Sequence, residues 1–239
     1  MNRFGVSTHL FHQSRLAREH LVDIAGHGFE AVELVASRAH FDYSDPSAVQ
    51  SLGEWLSDTR LELHSVHAPA DDDARGALAI AGTLPFPYLI VHPGRARDIE
   101  SLAETARAAG IKVAIELRPG GGMTPESLVH LLEEELEDVD VGACLDYGHA
   151  NLLGDVTDAV ETISGHMLTT HLHDNAGKRD DHLVPFAGAI DWAGAIMATQ
   201  KVGYDGVLMF EMSGAGSPAD ALKRAVMARE RLEKLFIVF

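Results

Sequence analysis

The residues able to carry chemistry in this chain stand at the ends of short apolar runs. One run closes on His64-Ser65-Val66-His67 and the next on His92. Others close on Glu116, on Asp146-Tyr147-Gly148-His149, on His171-Leu172-His173-Asp174-Asn175 and on Glu211. Imidazole nitrogens and carboxylate oxygens are the donors of divalent-metal sites, and they also exchange protons near neutrality. Asp180 and His182 follow in the next loop, close enough in the chain for both to reach one ion. The sequence holds 14 histidines but a single cysteine, Cys144. That excludes an intramolecular disulfide and a thiolate zinc cluster, and points to a nitrogen/oxygen metal centre. The histidines among the candidates favour Zn2+ or Mn2+. Mg2+, which prefers all-oxygen shells, and Co2+ are the alternatives.

Bringing these groups to one rim requires a repeated scaffold. The apolar runs are strand candidates: Arg3–Thr8, Ala31–Val35, Leu61–Val66, Tyr88–His92, Lys112–Leu117, Val141–Asp146, Met167–His173 and Val207–Met212. Helical segments lie between them and one follows the last. Strict alternation demands a parallel sheet, because each crossover needs a helix. Eight such units in 239 residues predict an α/β fold, a closed (β/α)8 TIM barrel forming a single domain over Met1–Phe239. The active site of such a barrel lies at the C-terminal ends of the strands. Neighbouring strands are ~4.8 Å apart, so side chains at their ends converge over the axis. Asp45-Pro46, Thr124-Pro125 and Ser217-Pro218 read as helix starts, as does Asp191 before Trp192. Gly28, Gly110 and Gly203 read as helix stops. Leu128, Leu131, Leu132 and Leu136 mark one buried face of a helix over Ser127–Leu136. The stretch Asp71–Leu84 has room for only about three turns of helix; it opens on three aspartates and reads as a solvated loop or a charged rim.

Composition narrows the function classes. Apolar residues make up 46% and charged residues 23%, an ordinary globular balance. Acidic residues outnumber basic ones 36 to 19, for a net charge of −17. With no Lys/Arg cluster, this argues against a sequence-independent nucleic-acid binder. Met1–Arg18 lacks the apolar region of a signal peptide, and no run approaches the ~18–20 apolar residues of a membrane helix. The expected location is cytoplasmic. Gly120-Gly121-Gly122 lacks the Lys-Ser/Thr of a phosphate-binding P-loop. Trp55, Trp192 and Cys144 read as core, and His9, Phe11 and His12 as loop packing that could still reach the rim. Glu33 reads equally as solvated or as supporting the pocket. Lys178 and Arg179 read as a solvated loop, with contact to a substrate anion as the sharper option. The tail Leu235–Phe239 packs beneath the barrel, or, if exposed, marks a homo-oligomer contact.

The Asp-x-x-His of Asp146–His149, the His-x-His-Asp-Asn of His171–Asn175 and the Asp180-x-His182…Ile190-Asp191-Trp192 stretch together resemble the xylose isomerase-like TIM barrel superfamily. That superfamily holds sugar and sugar phosphate isomerases and epimerases, polyol dehydratases and endonuclease IV. The resemblance implies one catalytic metal held by Glu116, Asp146, His171 and Glu211. It further implies a small polyhydroxy substrate and proton transfer through a metal-stabilised enediolate. Glu116 and Glu211 would act as acid and base, and His149 would orient a hydroxyl. The endonuclease IV pattern adds His67, His92, His149, Asp180 and His182 as further ligands, which implies capacity for a multinuclear site. Against DNA repair stand the short connections, the few basic residues (Arg95, Arg97 and Arg118), and Phe186-Ala187-Gly188 where the family often has Gly-Glu-Gly. A multinuclear zinc phosphodiesterase on abasic-site DNA and a dehydratase of a cyclic polyol ketone are the alternative activities. A non-catalytic metal- or sugar-binding barrel is a third.

Overall fold

Eight parallel strands pair in chain order and close on themselves, β8 against β1. They are β1 Arg3–Ser7, β2 Ala31–Val35, β3 Glu62–His67, β4 Tyr88–Val91, β5 Lys112–Glu116, β6 Val141–Asp146, β7 Met167–Leu172 and β8 Val207–Phe210. The helices are α1 Arg18–Gly26, α2 Pro46–Thr59, α3 Ala74–Leu78, α4 Ala96–Ala108, α5 Pro125–His130, α6 Tyr147–Leu153, α7 Val156–Ile163, α8 Trp192–Lys201 and α9 Pro218–Ile237. This computed structural model describes residues 3–68, 74–214 and 216–237. Among them no helix is long and apolar enough to cross a membrane.

The barrel interior is layered by the two-residue period of the strands. Ala31, Ala114, Cys144, Thr169 and Met209 are fully buried. Two residues further along each chain stand Glu33, Glu116, Asp146, His171 and Glu211. Small or uncharged side chains therefore fill a lower layer and the chemical groups form the layer above it. Pairing across the sheet sets neighbours in that upper layer: Asp146 is in register with His171, and Ser7 with Glu33.

Local signals act as expected at most element ends. Asp45 accepts from Ser47 N at 2.9 Å, and Thr124 and Ser127 form a reciprocal cap on α5. Asp191 accepts from Ala193 N and Gly194 N at the start of α8. Gly28, Gly110 and Gly203 take φ of +76°, +73° and +76°, the left-handed turn that glycine enters without steric cost.

Several boundaries differ from the sequence reading. Strands one, four, five, seven and eight stop earlier and strand three is shifted one residue on, so His92, His173 and Glu211 stand just past the sheet while His67 ends β3. Glu211 N nevertheless still bonds Leu172 O at 3.1 Å, which holds its direction. The Ser127–Leu136 helix is α only to His130 and then widens into a π turn over Leu131–Glu135. The wider turn keeps Leu131, Leu132 and Leu136 all buried. Within Asp71–Leu84, residues 74–82 are helical, as α3 followed by a 3-10 turn, because Ala77, Leu78 and Ile80 pack into the core. Asp71, Asp72 and Asp73 lie outside the described residues. Of the C-terminal tail, Leu235 and Phe236 pack partly buried against the core.

Candidate metal centre

Glu116, Asp146, His171 and Glu211 come from four consecutive strands and are all buried. Each offers one donor atom, and these atoms all lie within 4.8 Å of one another. His171 is the hub. Its Nδ1 lies 3.0 Å from Glu116 Oε1, 3.4 Å from Glu211 Oε2 and 3.7 Å from Asp146 Oδ2. Asp146 is pinned from behind, since its Oδ1 accepts from His149 N at 2.7 Å and caps α6.

The other face of His171 is held by Glu33. Glu33 Oε2 lies 3.0 Å from His171 Nε2, and the same carboxylate accepts from Ser7 Oγ at 2.9 Å and Ser65 Oγ at 2.8 Å. Against burial, a carboxylate at each ring nitrogen holds the metal-free imidazole protonated, well above its ordinary range. A cation seated among the three carboxylates would take the place of the Nδ1 proton and leave the Nε2 hydrogen on Glu33. A carboxylate behind the imidazole fixes both tautomer and ring orientation in metal sites. The sequence reading left Glu33 open. The signal available was its place two residues after Ala31 on an inward face, but an inward carboxylate alone names no partner.

A second group forms beside the first. His149 Nε2 and His182 Nε2 lie 3.1 Å and 3.2 Å from Asp180 Oδ2. The Nδ1 of each ring donates to a backbone carbonyl, Leu117 O at 3.0 Å for His149 and Glu211 O at 2.9 Å for His182. A carbonyl only accepts, so in each neutral ring the lone pair sits on Nε2, facing a carboxylate. Two acceptors at hydrogen-bond distance require a positive species between them, a proton or a cation. His173, stacked on His182 at 4.0 Å between ring centroids, joins this group and bonds Asp146 through Nε2. His173 was quoted in the sequence pattern but not singled out as a ligand.

His67 and His92 flank Glu116 on its other oxygen. Their Nε2 atoms lie 3.7 Å and 3.2 Å from Glu116 Oε2. His67 is also held through Nδ1 by Ala68 O at 3.0 Å. All nine sequence candidates thus meet around one cavity of about 230 Å³ or in its floor. His9 also lines that cavity, its ring tilted 36° against His182 and stacked on His12. Phe11 instead packs in the core on His20, and Trp192 is buried, its Nε1 donating to Asp174 Oδ2. Arg179 pairs with Asp181 on the surface. Cys144 is fully buried in the lower layer.

Burial and charge oppose each other throughout. Burial raises the Glu116 carboxyl, but hydrogen bonds from His171, His67 and His92 outweigh it and hold the group well below its ordinary range. Asp146 is likewise held low against burial by the charges of His149 and His173. Burial lowers His149, yet Asp146 and Asp180 push it up to about 10. His67 and His182 rise to about 9 against the same penalty, through Glu116 and Asp180 respectively. His9, where burial dominates, falls to about 4. Without another cation, protons on these imidazoles balance the carboxylates.

The family model for the xylose isomerase-like TIM barrel matches residues 21–235. The chain belongs to that family. An uncharacterized protein of Methanocaldococcus jannaschii is 28% identical over 270 residues, spanning 97% of this chain and 89% of that one. Among solved structures, a D-tagatose 3-epimerase-like protein superposes with a TM-score of 0.81 at 27% identity, covering 99% of this chain and 97% of the other. The IOLI protein, solved with a bound zinc atom, gives a TM-score of 0.81 at 16% identity and covers 99% and 100% of the two chains. At that identity the second likeness is one of fold.

Proposed function

We propose that this protein is a divalent-metal-dependent isomerase or epimerase of a small polyhydroxy carbonyl compound. The carrying observation is the convergence of Glu116, Asp146, Glu211 and Nδ1 of His171 at the floor of an open cavity. The donor set fits a borderline divalent ion: three carboxylates and an imidazole whose tautomer Glu33 presets. Zinc in the IOLI structure and the epimerase-like neighbour support the same reading. Zn2+ or Mn2+ suits the mixed nitrogen/oxygen set.

A divalent cation held there supplies Lewis acidity towards neighbouring carbonyl and hydroxyl oxygens, which acidifies the adjacent C–H. The protein's own groups move the proton. Glu116 is held ionised in the resting site by hydrogen bonds from three imidazoles, so it starts as a carboxylate with proton donors beside it. Glu211 Oε2 faces His171 and His182, while its Oε1 has no protein partner among the described residues. That free oxygen makes Glu211 the better-placed base. It takes the proton from the carbon beside the carbonyl, and the electron pair moves onto the carbonyl oxygen as an enediolate of the substrate. A proton passed from the His67 imidazolium through Glu116 to the opposite face gives the epimer, while Glu211 gives its proton up to solvent and solvent reprotonates His67. Return to the neighbouring carbon gives the isomer. Loss of a β-hydroxyl from the same enediolate would make the enzyme a dehydratase. His149, at the cavity wall, is placed to orient a substrate hydroxyl.

The test is exchange of the substrate C–H for deuterium in D2O, followed by NMR over a panel of ketoses, their phosphates and inososes. Metal per chain is measured in parallel on protein prepared without chelator or nickel resin. Exchange that requires both the metal and Glu211 supports the reading. No metal after reconstitution removes it.

The second donor group favours one further reading. His149, Asp180 and His182 turn acceptors towards a common point, which suits an additional cation and hence a multinuclear phosphodiesterase. Two or three zinc ions per chain together with cleavage of abasic-site DNA would establish it over the isomerase.

A further inference from the structure

Arg118 stands two residues past β5, and among the described residues lining the metal cavity it is the only Lys or Arg. Its Nη1 donates to His92 Nδ1 at 2.9 Å. His92 in turn contacts Glu116 through Nε2 at 3.2 Å, so the guanidinium sits two hydrogen-bond lengths from a candidate metal ligand. No carboxylate pairs with Arg118 among the described residues, whereas nearby Arg95 and Arg97 both pair with Asp98. A guanidinium offers five N–H donors, and this one commits its Nη1 to a neutral acceptor.

The space beyond Arg118 is open. A surface hollow of about 570 Å³ adjoins the metal cavity, and His92 and Arg118 line both. Gly120 and Gly121 form its far wall, and nothing lies within 4 Å of where their side chains would start. A ligand extending from the metal cavity passes the guanidinium and meets bare backbone.

We propose that Arg118 recognises an anionic group on the substrate, a carboxylate or a phosphate, so that the site takes a sugar acid or sugar phosphate in preference to a neutral sugar. This rests on the polyhydroxy-substrate reading above. In a chain of net charge −17, with carboxylates clustered at the cavity floor, an anionic substrate needs a local fixed cation, while a neutral sugar does not. Guanidinium is permanently charged, and its planar fork matches carboxylate and phosphate oxygens in pairs. The distance chain through His92 leaves room for a few carbon atoms between the reacting carbonyl and the anionic end.

The metal-loaded protein is titrated by calorimetry with D-fructose, D-fructose 6-phosphate and D-fructuronate, as wild type and as Arg118→Gln and Arg118→Lys. At least one anionic ligand should bind tenfold or more tighter than D-fructose. Arg118→Gln should erase that advantage while leaving D-fructose affinity and metal content unchanged, and Arg118→Lys should keep part of it. Which anion gains separates phosphate from carboxylate. Equal affinity for all three, or equal losses for all three in Arg118→Gln, overturns the assignment and leaves the polyol reading standing. If none of the three binds, the polyol reading fails, and inorganic phosphate and acetate decide the anion site. Binding of either to wild type, weakened at least tenfold in Arg118→Gln, upholds it, and no binding overturns it.

Discussion

Glu33 and His171, 138 residues apart in sequence, share a buried hydrogen bond of 3.0 Å that turns the Nδ1 edge of His171 towards Glu116, Asp146 and Glu211. Glu33 bonds Ser7, Ser65 and His171 and none of these carboxylates, so its effect on the centre runs through His171 and through the serines that hold it. Glu33→Gln keeps the size of the side chain but lets the amide face a serine hydroxyl or the imidazole in the wrong sense. Metal affinity should fall about 10- to 100-fold with the far-ultraviolet circular dichroism spectrum intact. Competition against a chelating dye measures this, and an unchanged affinity would remove Glu33 from its positioning role.

Glu116→Gln and Glu211→Gln should separate binding from proton transfer. Glu116 contacts His171, His67 and His92, so its loss should deplete the tightly held metal. Glu211→Gln should retain more metal, because Glu116 with its three imidazole partners remains in place, while solvent deuterium exchange into substrate drops by about 10²-fold or more, the contribution of a positioned base. Equal metal loss in both variants, with exchange falling only in proportion, would contradict the base assignment.

Metal binding should release protons. His149 at about 10 and His182 at about 9 are protonated at pH 7.5 in the metal-free protein. An ion seated between them and Asp180 must displace about two protons, so its affinity should rise with pH up to about 10. Calorimetry in buffers of different ionisation enthalpy counts these protons. A count near zero at pH 7.5 would mean that no ion occupies the second group.

Metal-free stability should follow the opposite course. His67, His149 and His182 have folded values above 6.5, so the folded chain binds extra protons between about 6.5 and 10. Their stabilisation is complete below about 6.5 and is lost as pH rises through 9 to 10. Glu116 and Asp146, both depressed, contribute above their unfolded values and lose that contribution as pH falls into the acid range. Chelated protein should therefore melt lower at pH 9.5 than at pH 7. A higher melting temperature at pH 9.5 would show that the imidazoles are neutral in the metal-free fold.

Gly148 is required by packing. A Cβ there would clash with the Nδ1–Cε1–Nε2 edge of the His173 ring, which lies over the start of α6. Gly148→Ala should cost about 1–3 kcal/mol in chemical denaturation, the usual range for overpacking, and should displace His173 from Asp146. A fully stable variant would mean the ring has somewhere else to go.

Much of this site was legible in one dimension, and the reason is geometric. A parallel β/α barrel sends every strand end to one rim, so Glu116, Asp146, His171 and Glu211 needed only to be found at strand ends to be placed together. The caps at Asp45, Thr124 and Asp191 were legible because they act within one helical turn. Strand lengths were less so. His92, His173 and Glu211 look like strand residues by composition, yet pairing stops before them.

The tertiary structure alone decided which atoms face which. Whether Glu33 points into solvent or onto His171 depends on barrel closure bringing β2 and β7 within hydrogen-bonding reach across the interior, and no local spacing encodes that distance. The tautomers of His149 and His182 are set by the carbonyls of Leu117 and Glu211, backbone groups from other strands that carry no side-chain signature. Residue types along the chain determined that nitrogen and oxygen donors would gather on the rim. The direction of each lone pair, and with it the division into two donor groups, arose only from long-range packing.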